Sequence, residues 1–241
     1  MRSTKSVLLV AALTCLAGGC SGPTDTTPAT TCPTNAGVPA DVRDIERNGE
    51  GLAGTTFGAF PDRKPDWAHA ATVLKLLEEV WGRSTTACTD FPKDNVKAID
   101  AAIATLQKSI PAKDQKTSAY AANAVGLAVP EIFAYFHPEI PAEVLRMDAV
   151  FRQLGLDGHY GDWAAVAADV ESLKADWAAS KSAVGDRAPT CHRVGGTATI
   201  LGDIEQSLAN AENAVGQKDA AAVETESENG DLEVDVLELL F

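Results

Sequence analysis

From Asp66 onward, apolar residues recur at alternating steps of three and four, the spacing of one helix face. Trp67, Ala70, Leu74, Leu77 and Trp81 predict a helix over 66–83. Val96, Ile99, Ile103, Leu106 and Ile110 predict a second over about 92–110. Pro92 suits a first turn and Pro111 stops the helix. A third runs over about 117–136 through Tyr120, Ala124, Leu127, Phe133 and Phe136, with a kink expected at Pro130. A fourth starts at Pro141 and ends near Leu154-Gly155. Asp162 is a good N-cap for a fifth, carrying Trp163, Val166, Val170, Leu173, Trp177 and Val184. After a long loop, 185–196, a sixth covers about 197–215 and a seventh runs from Asp219 to the end. Gly230 costs that last helix about 1 kcal/mol against Ala, so it predicts a break or a close helix contact. No strand or hairpin signal is present. The expectation is an all-α, irregular up-and-down bundle of about six or seven helices over 61–241. Its layers would be 62–157 and 158–241, sharing one core.

Residues 20–60 lack that spacing and are rich in Thr, Pro, Gly, Ala and Asp. Such a stretch buries too little surface to fold alone. It reads as a disordered stalk with a short helix near Asp41–Arg47 and a reach of about 35 Å. The formal charge of −14 deepens by two if Arg2 and Lys5 are removed with a leader. A surface so acidic repels nucleic acid and excludes that partner.

Arg2 and Lys5 precede an apolar run, Ser6 to Leu16, of signal-peptide length and too short to span a bilayer. Leu16-Ala17-Gly18-Gly19-Cys20 follows. This resembles the lipobox of bacterial lipoproteins, with Leu one place early. The resemblance implies cleavage after Gly19 and acylation at Cys20. It also implies a cell-envelope location, with the chain held to a membrane by its lipid anchor. No acidic residue follows Cys20, so a signal for retention at the inner membrane is not evident.

Export permits disulfides. Cys32, Cys88 and Cys191 remain as partners. In an up-and-down bundle, the loops holding Cys88 and Cys191 lie at one end, which favours Cys88–Cys191. Cys32 is the rival for either. No metalloprotease, nucleophile-elbow, phosphate-loop or calcium-loop motif occurs, and no catalytic residue or cofactor is assigned. His137 and His192 fall in loops at that same end, where with Glu139 and Cys191 they form a weaker metal alternative. Asp148 and Asn123 face inward. A buried Asp148 would suit a general base, but Arg152 one turn away makes a structural pair the plainer reading. Trp67, Trp81, Trp163 and Trp177 lie on inward stripes and read as core. The last helix carries Glu224, Glu226, Glu228, Asp231, Glu233, Asp235 and Glu238, a solvated face or a dock for a basic protein.

Gly161-Asp162-Trp163-Ala164-Ala165 resembles the start of a tetratricopeptide helix. Its nearest echo, Gly216 to Ala221, comes at the wrong spacing for that repeat. Gly161-Asp162-Trp163, Trp177, Lys218-Asp219 and Asp235-x-Leu237-Glu238-Leu239 together resemble a poorly characterised family of exported bacterial helical proteins. That likeness covers about a third of the chain and implies a helical fold, not an activity. The sequence thus points to a non-catalytic, membrane-tethered lipoprotein acting as a binding or structural module. A metal- or small-ligand-binding bundle is the alternative.

Overall fold

The computed structural model describes residues 37–58, 62–187 and 197–241. Among them are eight helices and no strand. They are α1 (Ala40–Phe57), α2 (Trp67–Ala87), α3 (Lys93–Ala112), α4 (Gln115–Tyr135), α5 (Ala142–Tyr160), α6 (Trp163–Arg187), α7 (Thr197–Gln217) and α8 (Ala220–Glu238). The all-α expectation holds, with one helix more than the sequence suggested.

That helix is α1, and it corrects the stalk boundary. Residues 40–57 are a packed helix, because Val42, Ile45, Leu52, Ala53 and Phe57 fall on one buried face. Ile45 and Leu52 are 0% exposed, so α1 belongs to the core. Its three glycines and threonine pair hid this stripe. Residues 20–36 lie outside the described residues.

The chain folds as two four-helix units. In each, the first helix packs on the second and fourth, and the third packs on the fourth. One apolar cluster fills α1–α4, joined by Leu145 of α5; a second fills α5–α8. Ile140, in the link between the units, touches both. The break therefore falls between α4 and α5, not at 157–158.

The two units repeat one another in sequence. Pro39-Ala40-Asp41-Val42 opens α1 and Pro141-Ala142-Glu143-Val144 opens α5, each with the Val N–H bonded to the Pro carbonyl at 3.0 Å. Asp66-Trp67-Ala68 opens α2 and Asp162-Trp163-Ala164 opens α6. Both aspartates accept a backbone N–H three residues on. Trp81 and Trp177 follow at the same spacing, each buried in its own unit's core. Lys113-Asp114 and Lys218-Asp219 make the same turn. The lysine is left-handed, with φ 56° and 53°, and the aspartate caps the next helix. The repeating unit is a whole four-helix bundle rather than a helix pair of tetratricopeptide size.

Glycine marks where helices touch rather than where they end. The sequence expectation stopped the fourth predicted helix near Gly155, but α5 continues to Tyr160. A Cβ on Gly155 would lie 2.4 Å from Ser227 Oγ, and one on Gly158 would lie 2.5 Å from Val223 Cγ1. Gly230 sits against the Phe151 ring, 2.2 Å from where its Cβ would be, so the close-contact alternative holds and α8 is unbroken. The matching place in the first unit has the sizes reversed: Gly49 faces Val125. Helix α4 likewise runs unbroken through Pro130.

Gly230→Val should cost about 1–3 kcal/mol by overpacking against Phe151. In a Phe151→Ala background the same change should cost much less, because the ring is gone. Urea unfolding of the four proteins tests this, and additive losses would contradict it.

Candidate functional site

The most chemically unusual region is the seam where α1 and α4 of the first unit meet α5 and α8 of the second. Helix α5 carries Asp148 and Arg152 one turn apart, then Gln153 and Asp157 one turn apart, along its inner length. Asp148 is 2% exposed. Arg152 holds it with both terminal nitrogens; Nη1 donates to Oδ1 at 2.7 Å and Nη2 to Oδ2. Nη1 also donates to Asp231 Oδ1 at 3.0 Å and lies 3.5 Å from Glu50 Oε1. Its Nε makes a longer, 3.4 Å bond to Asn123 Oδ1. The Asn123 amide donates to Ala149 O and Gln153 Oε1, both at 2.9 Å. Gln153 donates to Asp157 Oδ2 at 2.9 Å, and the Tyr120 hydroxyl donates to Asp157 Oδ1 at 2.6 Å. One polar line thus runs through the interior, every link within bonding reach.

Its electrostatics follow from scarcity of cations. Burial pushes the Asp148 carboxyl up, but the Arg152 charge and hydrogen bonds from Asp231, Glu50 and Arg152 hold it below the ordinary carboxylate range. Burial and the Asp148 charge raise Glu50 to about 10. Burial, then the hydrogen bond to Asp148, raises Asp231 to about 9. Burial and nearby carboxylates lift Glu46 to about 7 and Glu238 to about 8.

A second ionic knot closes the opposite end of the seam. Arg63, in the link between α1 and α2, donates from Nε to Glu224 Oε2 at 2.9 Å and from Nη1 to Glu228 Oε1 at 2.8 Å. Its guanidinium lies 4.1 Å from the Phe57 ring centroid. His159 Nδ1 lies 3.3 Å from Glu224 Oε1. The Gln115 amide donates to the carbonyls of Phe57 and Arg63, at 2.9 and 2.8 Å. Between the two knots is a cavity of about 70 Å³, lined by Phe57, Arg63, Arg152, Leu156 and Ser227. That is room for a few waters rather than a substrate.

The residues singled out in the sequence separate into three groups. Asp148 and Asn123 are both buried, as their inward placement predicted, and Asp148 pairs with Arg152 one turn away, the plainer of the two readings. The four tryptophans pack into the two cores, Trp67 and Trp163 at their edges, and Trp81 Nε1 donates to Asp100 at 2.7 Å. Glu224, Glu228 and Asp231 of the acidic helix turn inward to arginines of the chain itself, so that helix is not a uniformly solvated face. Cys88 is buried after α2 and is not a free thiol. Cys20, Cys32, Cys191 and His192 lie outside the described residues. His137 is exposed, with a left-handed φ of 50°. Among the described residues, no three His, Cys, Asp or Glu side chains are grouped to hold a metal ion.

The sequence reading named Asp148 and Arg152 but missed Glu46, Glu50 and Arg63. The signal available was the repeat: Glu46 and Glu50 stand in α1 where Asp148 and Arg152 stand in α5, counted from Pro39 and Pro141.

Arg152→Met strands Asp148 in the seam and should cost about 3–5 kcal/mol in urea unfolding at neutral pH. Arg152→Met combined with Asp148→Leu should recover most of that loss, since the uncompensated charge is then absent. No protein-family model, curated protein or solved structure matches the chain.

Proposed function

We propose that the protein is a non-catalytic, exported lipoprotein, tethered through acylated Cys20, whose double bundle serves as a binding or structural module at the cell envelope. The observation that carries this reading is where the chain enters the fold. Gly37 and Val38 line a groove with Phe133, Pro138, Ile140 and Phe241, so the N-terminal entry, the α4–α5 link and the C-terminus share one pole. The loop after α2 joins them, because Phe91 packs on Tyr135 and Phe136. A lipid on Cys20 would hold this pole toward the membrane. Residues 21–36 extend at most about 3.5 Å each, roughly 55 Å in all. Among the described residues no helix is long and apolar enough to cross a membrane.

The partner surface is the outer side of α8. Leu232 is 62% exposed and Leu239 is 73% exposed, seven residues apart on one face, with Asp235 exposed between them. An apolar stripe beside carboxylates fits a protein partner carrying apolar side chains within a basic rim.

Intact mass and acyl labelling test the anchor: Cys20→Ser should abolish both acylation and membrane recovery. An unmodified N-terminus on the processed wild-type chain would overturn the reading. Leu232→Asp should then reduce the proteins co-purified from membranes without changing the fold.

A second reading, metal or small-ligand binding, draws on one contact. Arg187, at the end of α6, pairs with Glu139 at 2.9 Å, so the span holding Cys191 and His192 leaves from beside His137. The same contact favours the Cys88–Cys191 disulfide. Stoichiometric metal in purified protein, lost in His137→Ala and His192→Ala variants, would put this reading ahead of the first.

A further inference from the structure

The seam does not balance as a set of fixed charges. Three carboxyl groups, Glu50 from α1, Asp148 from α5 and Asp231 from α8, gather on the single guanidinium of Arg152. An oxygen of each lies within 3.5 Å of the one nitrogen Nη1, which crowds Glu50 and Asp231 against Asp148 and favours carboxyl–carboxyl hydrogen bonds to it. A bond between two carboxyl groups exists only while one carries a proton, because an ionised carboxylate accepts and cannot donate. Asp148, held by both ends of the guanidinium, is the acceptor; Glu50 and Asp231 are the donors. The surroundings offer little relief. Helix α1 adds Glu46 and, farther off, Arg47; α8 adds Asp235 and Glu238; α4 presents the neutral Asn123. The cavity that Arg152 lines gives water a place beside the cluster.

We propose that this seam is a proton-operated latch between the two four-helix units. With a proton on Glu50 and on Asp231, α1 is clamped across the boundary to Asp148 and Arg152 of α5, which α8 holds in place within its own unit. When those protons pass to solvent, three carboxylates share one guanidinium, both O–H donors vanish, and α1 of the first unit loosens from the α5–α8 pair of the second. The direction follows from linkage. Glu46, Glu50, Asp231 and Glu238 bind protons more tightly in the fold than in an unfolded chain. Their contribution is full below the ordinary carboxylate range and is lost as pH rises through their folded values, from about 7 for Glu46 to about 10 for Glu50. Asp148 runs the other way and loses its contribution only in acid. The latch is thus firmest in mildly acidic medium. It acts within this chain and does not depend on the lipid anchor.

Hydrogen exchange of the full chain, corrected for intrinsic rates, tests it. Between about pH 6 and about pH 9, near the folded value of Asp231, protection in α1, α5 and α8 should fall at least about tenfold relative to α2, α3, α6 and α7. In the Glu50→Gln/Asp231→Asn protein the amides donate the same bonds without a titrating proton, and the loss should disappear. Glu233→Gln, which removes a raised carboxyl that faces Ser207 of α7 rather than the seam, should leave the response intact. Seam protection that is flat with pH, or a double variant that loses it like wild type, overturns the proposal. If the double variant does not fold, Asp231→Asn alone and the infrared carbonyl band of a protonated carboxyl decide. Absence of that band at neutral pH in the wild type overturns it as well.

Discussion

Arg152 stands where two units, each with its own core, have to share a boundary. Its guanidinium reaches carboxylates on three helices and an amide on a fourth, from α5, the helix nearest the centre of the fold. A buried guanidinium is costly unless its donors are met, and here they are met several times over. The cost has moved to the acids. With too few cations nearby, Glu50 and Asp231 keep their protons rather than stand ionised beside Asp148. Stability at the seam then depends on pH as well as on packing.

The repeat explains why such a seam exists. Each four-helix unit buries its own apolar stripe, so the surface left for joining them is a small apolar cluster, Phe57, Ala119 and Leu156, beside the polar remainder of α1, α4, α5 and α8. Counted from the two Pro-Ala openings, Glu46 and Glu50 occupy the places of Asp148 and Arg152. The two copies of one helix thus contribute opposite charges at one step, and Glu50 meets Arg152 across the boundary. The exchange of sizes between Gly49·Val125 and Phe151·Gly230 shows the same divergence within the cores. Each unit holds one large and one small residue at that crossing, on opposite helices.

Helix existence was legible because periodicity reports burial directly. Seven of the eight helices carry stripes readable from Asp66 on, and Asp66, Asp114, Asp162 and Asp219 each cap a helix. What misled was glycine. In α1 and α5 it reads as a breaker, yet Gly155 and Gly158 sit where a neighbouring helix leaves no room for a Cβ, and Gly49 lies close against Val125. Close packing between distant segments leaves no local periodic trace. The same holds for charge. The acidic run of α8 looks solvated until Arg63 and Arg152, far away in sequence, are placed against it. Of the seam, the inward face of Asn123 and the Asp148–Arg152 step were visible, since one helical turn is a local distance. Glu50 and Asp231 join it solely through tertiary structure.

The two ends of the fold divide structural tasks differently. At one pole, the entering chain, the α4–α5 link and the C-terminus meet around an open groove of about 370 Å³. At the other, Arg63 closes the α1–α2 link over α8, and short two-residue turns leave little slack. Loosening at Arg152 would therefore be felt unequally. The Arg63 knot, with Glu224 and Glu228, would keep α8 hinged to the first unit at that end. Any separation of the units would open from the pole where the chain enters. In that geometry a proton lost deep in the seam would be felt at the groove bordered by Glu46, Glu238 and Phe241, which is the end of α8 nearest its exposed leucines.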